Sequence, residues 1–221
     1  MPAADEISAK DAIAAIRDCP VQPWSGEVWR CHSRKYRGDD PGGSIRTTGR
    51  FHRGPDKFPV SETWPALYTG LALHVALGER LRHTTPETLG QLGNQRISRL
   101  RIELQAVLVL CAPAGCAETG IDGLELESLC DPVDYRRCQQ IAVIAREVAE
   151  ALIIPSCTRF AEGNLVIFPD PRSSLRKLKI PISSSTGEEF RTPKLPPFGG
   201  GSRGDYLTTA MVPPPSTATP R

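Results

Sequence analysis

The chain has 221 residues, 39% hydrophobic and 24% charged, with 27 Lys and Arg against 25 Asp and Glu. That length suits one domain with appended arms, and the mean hydropathy of -0.26 excludes both a membrane-embedded protein and a chain disordered throughout. A formal charge of +2 lacks the strong basic footprint of nucleic-acid-binding domains, so no direct nucleic-acid contact is expected.

In chain order, Ala9, Ala12, Ile13 and Ile16 stand at helical intervals in the segment Ala3 to Asp18, with Pro20 and Pro23 ending the run. This predicts a short helical arm over residues 1–20. The N-terminus has no apolar signal core and no window is apolar enough to span a bilayer, so a cytoplasmic protein without membrane attachment is expected. Seven cysteines without a CxxC or a completing histidine spacing give no zinc signature; no metal is expected, and most of the thiols read as small buried groups in a reducing compartment.

Glu27 to Cys31 reads as a strand. Ser33 to Pro65 is polar, Gly- and Pro-rich and longer than ordinary connections, the kind of loop that is functional or disordered. Between Arg30 and Lys57 there are eight Lys or Arg and three Asp, a local +5; the excess marks a site for an anion or a solvated loop. Ala66 to Thr69 predicts a strand, and Leu71 to Arg82 a helix. Thr85-Pro86-Glu87 resembles a helix start. Ile97 to Leu110 is apolar and β-branched enough for strands of a buried sheet. Asp131-Pro132 is a further cap signature, opening a helix with Cys138, Ile141, Ile144 or Ala145, Val148 and Leu152 on one face. Ile153-Ile154 enters a turn at Pro155-Ser156, Asn164 to Phe168 is a strand, and a last run alternates at Leu175, Leu178 and Ile180.

Beyond residue 182 the composition changes. Residues 183–221 include seven Pro, five Gly, five Ser and six Thr, too few apolar groups to offset the entropy of ordering, so a disordered tail is expected. Its GxGxxG and GxSxG matches between Gly199 and Gly204 have no strand before or helix after them, and Arg203-Gly204-Asp205 is a short match of no weight.

What remains is a constellation: Trp29-Arg30, Gly49-Arg50-Phe51-His52, Ala66-Leu67-Tyr68-Thr69, Glu79, Pro155-Ser156 and Gly163-Asn164-Leu165-Val166-Ile167-Phe168. Taken singly, Glu79 reads as an exposed helix carboxylate, Tyr68 as a core aromatic, Ser156 as a turn residue and Arg50 as a solvated cation. In this order and spacing, from about Glu27 to Ile180, the set resembles the RES domain family.

The resemblance implies an α+β fold: one compact domain over residues 27–182, with a mixed, split sheet like that of ADP-ribosyltransferases, flanked by helices. It further implies an NAD-degrading toxin of a toxin–antitoxin pair, with NAD as substrate, no cofactor required, inorganic phosphate as a possible acceptor and an antitoxin as partner. The family's Arg, Tyr, Glu and Ser fall on Arg50, Tyr68, Glu79 and Ser156, and Arg30 and Asn164 join Arg50 and Tyr68 as NAD-binding candidates. The chemistry suits these residue types. Nicotinamide departs from NAD as a neutral leaving group, so one preorganised carboxylate, here Glu79, has only to stabilise an oxocarbenium-like ribose, in contrast to the paired carboxylates of ordinary glycosidases. Arginine forks match phosphate oxygens, and an aromatic face such as Tyr68 favours a cationic ring. Ser156 is assigned to the ribose or to the nucleophile. The family's frequent GRW or GRWN stands here as GRFH, which alters the polar rim. Two other readings stay open: protein ADP-ribosylation, and a non-catalytic partner-binding module.

Overall fold

The computed structural model describes residues 13–111, 124–158 and 160–169. The first 12 residues of the arm, the run at Leu175, Leu178 and Ile180 and the whole of 183–221 lie outside the described residues.

Two long strands dominate. β1 (Val21–Ser33) and β3 (Gln95–Val109) form an antiparallel ribbon from Val21↔Leu108 to Ser33↔Gln95. The register shifts between Gln22 and Trp24, around Pro23, a residue with no N–H to give the ladder. Along β3, Leu100, Ile102 and Leu104 are buried while Arg99, Arg101 and Glu103 are less so or exposed, the period of two that half-buried strands show. β2 (Leu67–Gly70), β4 (Ala151–Ile154) and β5 (Asn164–Ile167) are short; β4 and β5 read ALII and NLVI, apolar on both faces because both faces are covered.

The expected split sheet differs from what is observed. Five strands close in the order β1-β2-β5-β4-β3, antiparallel except where β3 runs parallel to β4. Closure between β1 and β2 rests on one register pair, Trp29↔Gly70, so the two strands diverge on either side of it. A cluster drawn from all five strands and no helix, with Val28, Leu67, Leu100, Ile153 and Leu165 among its members, fills the barrel. The outer face, including Leu108, Leu152, Ile154 and Val166, is covered by a second cluster.

That cover comes from α3 (Arg136–Val148), which buries Cys138, Ile141, Ala142 and Ala145, and from Ile13 and Ile16 of the arm. The expected helix face extends too far at its end: Val148 is 37% exposed, Ala149 is already extended, and Leu152 belongs to β4. At its start, Asp131 Oδ1 accepts the N–H of Val133 (2.7 Å) and Asp134 (2.9 Å), an Asx turn leading in rather than a cap on the first turn. The cap-like Thr85-Pro86-Glu87 opens no α-helix; a 3-10 segment, Leu89–Asn94, follows it. α1 (Leu73–Arg82) and α2 (Leu126–Cys130) complete the described helices, none of which is long and apolar enough to cross a membrane.

The long connection between β1 and β2 is built around packed aromatics. Phe51 and Trp64 are core residues; Trp64 Nε1 donates to the Phe51 carbonyl (3.1 Å), and the Arg53 guanidinium lies over the rings of Phe58 and Trp64. Gln139 of α3 donates to the Gly49 carbonyl (3.1 Å), tying the loop to the helix beside Arg50.

Candidate active site

Where β1 and β2 part, a cavity of about 340 Å³ opens, lined by both strands, the loop around Arg50, the C-terminal half of α1, and Asn164 and Cys157. The position of α1 follows from its sequence. Val75 and Ala76 are its buried residues, and Glu79 lies one turn further along that stripe, which brings its carboxylate to the cavity. Gly70 makes this close handover possible, since a Cβ there would lie 2.7 Å from the Ala76 nitrogen and 3.0 Å from the Ala72 carbonyl oxygen.

Glu79 is the best-anchored carboxylate of the site. Its Oε1 accepts three hydrogen bonds, from Ser156 Oγ (2.8 Å), the Cys157 backbone N–H (2.9 Å) and Asn164 Nδ2 (2.9 Å). Oε2 faces Arg82 Nη1 at 3.7 Å, one turn along the same helix. With three donors on one oxygen and a guanidinium beside the other, the carboxylate is held in one orientation.

Ser156 is fully buried and does not line the cavity. Its single proton goes to Glu79, so the Thr158 hydroxyl, 2.5 Å away, donates to it along with the Thr158 N–H (3.1 Å). The serine therefore acts on the carboxylate from behind.

Arg50 lines the cavity; its Nη1 hydrogen-bonds the Cys157 sulfur, Nη2 reaches the Asp131 carbonyl at 3.5 Å, and its Cζ lies 5.5 Å from the Tyr135 ring centre. Arg30 is buried in the cavity wall with Nη1 committed to the carbonyls of Gly38 (2.7 Å) and Asp40. Burial lowers it to about 10, against the pull of Asp40 and Asp39, so it stays protonated at neutral pH.

Tyr68 reaches the cavity with its hydroxyl fixed from two sides. The Phe51 N–H donates to it (2.8 Å), and His52 Nδ1 lies 2.8 Å away. His52 Nε2 is 2.6 Å from the Thr47 carbonyl, which only accepts, so Nε2 carries the proton, Nδ1 is bare, and the Tyr68 hydroxyl donates to it. Burial pushes the His52 imidazole below its ordinary value and the Tyr68 phenol well above its own, so both are neutral in this arrangement.

Residues 27–190 match the RES domain. The chain belongs to the RES domain family. The fold is also similar to a chain in the crystal structure of the M. tuberculosis MbcT–MbcA toxin–antitoxin complex, at 18% identity and a TM-score of 0.50, covering 71% of this chain and 81% of that one. At that identity the likeness concerns the fold alone. No curated protein matches the chain significantly.

The RES domain thus brings Arg30, Arg50, Tyr68, Glu79 and Asn164 to one cavity and sets Ser156 beneath it. The local +5 does not gather there. Of its eight cations only Arg30 and Arg50 line the cavity, while Arg34, Lys35, Arg46 and Lys57 are exposed and Arg37 pairs with Asp39 at 3.0 Å. The other cation at the wall, Arg80, comes from α1. Sequence reasoning also missed Cys157 and Tyr135, whose only signals are adjacency to Ser156 and to the helix start, and gave His52 no part in holding Tyr68.

Proposed function

We propose that this RES domain binds NAD in the cavity and cleaves its nicotinamide–ribose bond, with water or inorganic phosphate as acceptor, as the toxin of a toxin–antitoxin pair. The carrying observation is the Glu79 carboxylate, fixed by three donors on one oxygen at the wall of a 340 Å³ cavity, a volume within the range of small-molecule sites. A carboxylate held this way undergoes no reorganisation when positive charge develops on the ribose, which is the condition for electrostatic stabilisation of an oxocarbenium-like transition state.

On this reading Arg50, exchanging its contact with the Cys157 sulfur for phosphate oxygens, and the protonated Arg30 face the diphosphate. Tyr68 presents its ring to the cationic nicotinamide, Asn164 and Ser156 orient Glu79, and no cofactor is required. Membership of the family and the toxin–antitoxin complex that contains the structural relative support the toxin role and an antitoxin that covers the cleft. The ADP-ribosyltransferase likeness is part of the same proposal; the narrow β1–β2 junction is where such a sheet would divide.

The test is nicotinamide release from NAD by the purified chain, with and without phosphate. Release is expected, and Glu79→Gln should lower it by about 10²–10³ with the circular dichroism spectrum unchanged. Phosphate-dependent formation of ADP-ribose 1″-phosphate identifies phosphorolysis, and free ADP-ribose identifies hydrolysis. Binding of NAD without release to water, phosphate or a protein acceptor overturns the enzymatic reading.

A further inference from the structure

The cavity wall contains a sulfur centre that the proposed reaction does not use. Cys157 lines the cavity, its Sγ accepts a hydrogen bond from Arg50, and its backbone N–H is one of the three donors on Glu79 Oε1. Cys130, at the end of α2, follows the residue whose carbonyl approaches Cys157 Sγ, and both cysteines are only partly buried. The carbonyl of Leu129, adjacent to Cys130 in the chain, lies 4.0 Å from Cys157 Sγ and 3.4 Å from Cys138 Sγ. Arg82 Nη2 donates to the Cys130 carbonyl at 3.0 Å.

Cys130 and Cys157 therefore meet between two guanidinium groups, an environment that favours a thiolate. The neighbouring Cys130 thiol, together with Arg50 and Arg82, draws Cys157 below the usual thiol range despite its burial, and Cys157, with burial, pushes Cys130 up. Cys138 is a poor competitor, fully buried and pushed up to about 12 by that burial.

We propose that Cys157 and Cys130 form a peroxide-sensitive pair, and that a disulfide between them switches the cavity off. The Cys157 thiolate attacks one oxygen of hydrogen peroxide; the O–O bond breaks, Cys157 becomes a sulfenic acid and the leaving hydroxide takes up a proton to become water. Cys130 sulfur then attacks the sulfenic sulfur, the S–O bond breaks, and the Cys130 proton leaves with the oxygen as a second water. Two thiols are oxidised and one peroxide is reduced. The new bond withdraws the Cys157 sulfur from Arg50 and displaces the backbone N–H that holds Glu79. The consequence for turnover rests on the NAD reading above; the chemistry of the pair does not.

The experiment treats the full, pre-reduced chain with one equivalent of hydrogen peroxide, then maps its peptides by mass spectrometry and assays nicotinamide release. A Cys130–Cys157 linked peptide is expected, with release falling about tenfold to a hundredfold and returning on treatment with dithiothreitol. Cys130→Ser should match the reduced wild type in activity, but under excess peroxide its Cys157 should proceed to the sulfinic acid, and dithiothreitol should not restore it. Peroxide that leaves both thiols free, links Cys157 to another cysteine, or forms the expected link without changing release overturns the proposal. If the reduced chain releases no nicotinamide, the NAD reading fails, and the peptide map decides on the thiol pair.

Discussion

Tyr68 and His52 illustrate what a single residue type decides. In GRFH the histidine takes the place after the aromatic, and the structure commits it to Tyr68: Nδ1 accepts the phenol proton and Nε2–H closes on the Thr47 carbonyl. His52→Leu removes both partners and leaves a partly buried hydroxyl without an acceptor and a carbonyl without a donor. Such orphaned groups cost about 1–3 kcal/mol each, so urea unfolding should show a loss of roughly 2–5 kcal/mol, whereas His52→Asn, which keeps an acceptor near the Nδ1 position, should lose less. Equal losses in the two variants would refute the acceptor role. Much of this site was legible: Arg50, Tyr68, Glu79 and Asn164 stood in an ordered set of motifs, and all line one cavity. The part that Ser156 plays was not legible, because a Pro-Ser pair does not reveal whether its hydroxyl faces a ligand or a neighbouring carboxylate. Nor was Cys157, since a thiol acquires its character from the guanidinium groups that the fold brings to it.

At the scale of elements, the least legible boundary is the passage from α3 to β4. Val148 and Leu152 keep helical spacing, so periodicity carries the helix onward, and a short apolar run such as ALII does not by itself distinguish buried helix from buried strand. The boundary is set by tertiary contacts. The Glu150 carboxylate accepts the N–H of Gln105 (2.6 Å) and Ala106 (3.1 Å), and its own N–H donates to the Ala106 carbonyl (2.8 Å), which pins the chain alongside β3 and starts the parallel pairing. α3 then works as the cover of a right-sized patch, with Ile141 wholly buried among Leu108, Leu152 and Val166. Ile141→Ala should destabilise the domain by about 2–5 kcal/mol, measurable as a shift in the urea midpoint. A loss below about 1 kcal/mol would show that the patch is loosely packed. Substitution of Val148, at 37% exposure on the expected face, should have little effect.

For the whole molecule, strands could be read from residue patterns, but closure of the barrel could not, since it depends on one long-range pair, Trp29↔Gly70, that no local pattern specifies. Folding also draws two histidines out of water, His32 on β1 and His52 in the loop between β1 and β2. His32 and His52 are 7% and 5% exposed, and burial is the main cause that lowers both imidazoles below their ordinary 6.5, outweighing the backbone carbonyls that favour their charged forms. The folded chain therefore takes up protons less readily at these positions than the unfolded chain. Below pH 6.5 the unfolded state binds protons that the folded state refuses, so stability falls as pH drops through that window and is fully present above it. Each histidine contributes at most about 1.4 kcal/mol per pH unit, well before Asp131 and Asp134, themselves held below the usual carboxylate range by backbone N–H groups and Arg136 respectively, begin to protonate. Urea titrations at pH 7.5, 6.5 and 5.5 in constant salt should show little change over the first step and a clear loss over the second. His52→Leu, though less stable throughout, should show a smaller loss over that second step than the wild type. A stability that is flat or rising from pH 6.5 to 5.5 would mean that both imidazoles accept protons in the folded state, and that the neutral His52 on which the Tyr68 hydrogen bond depends does not persist.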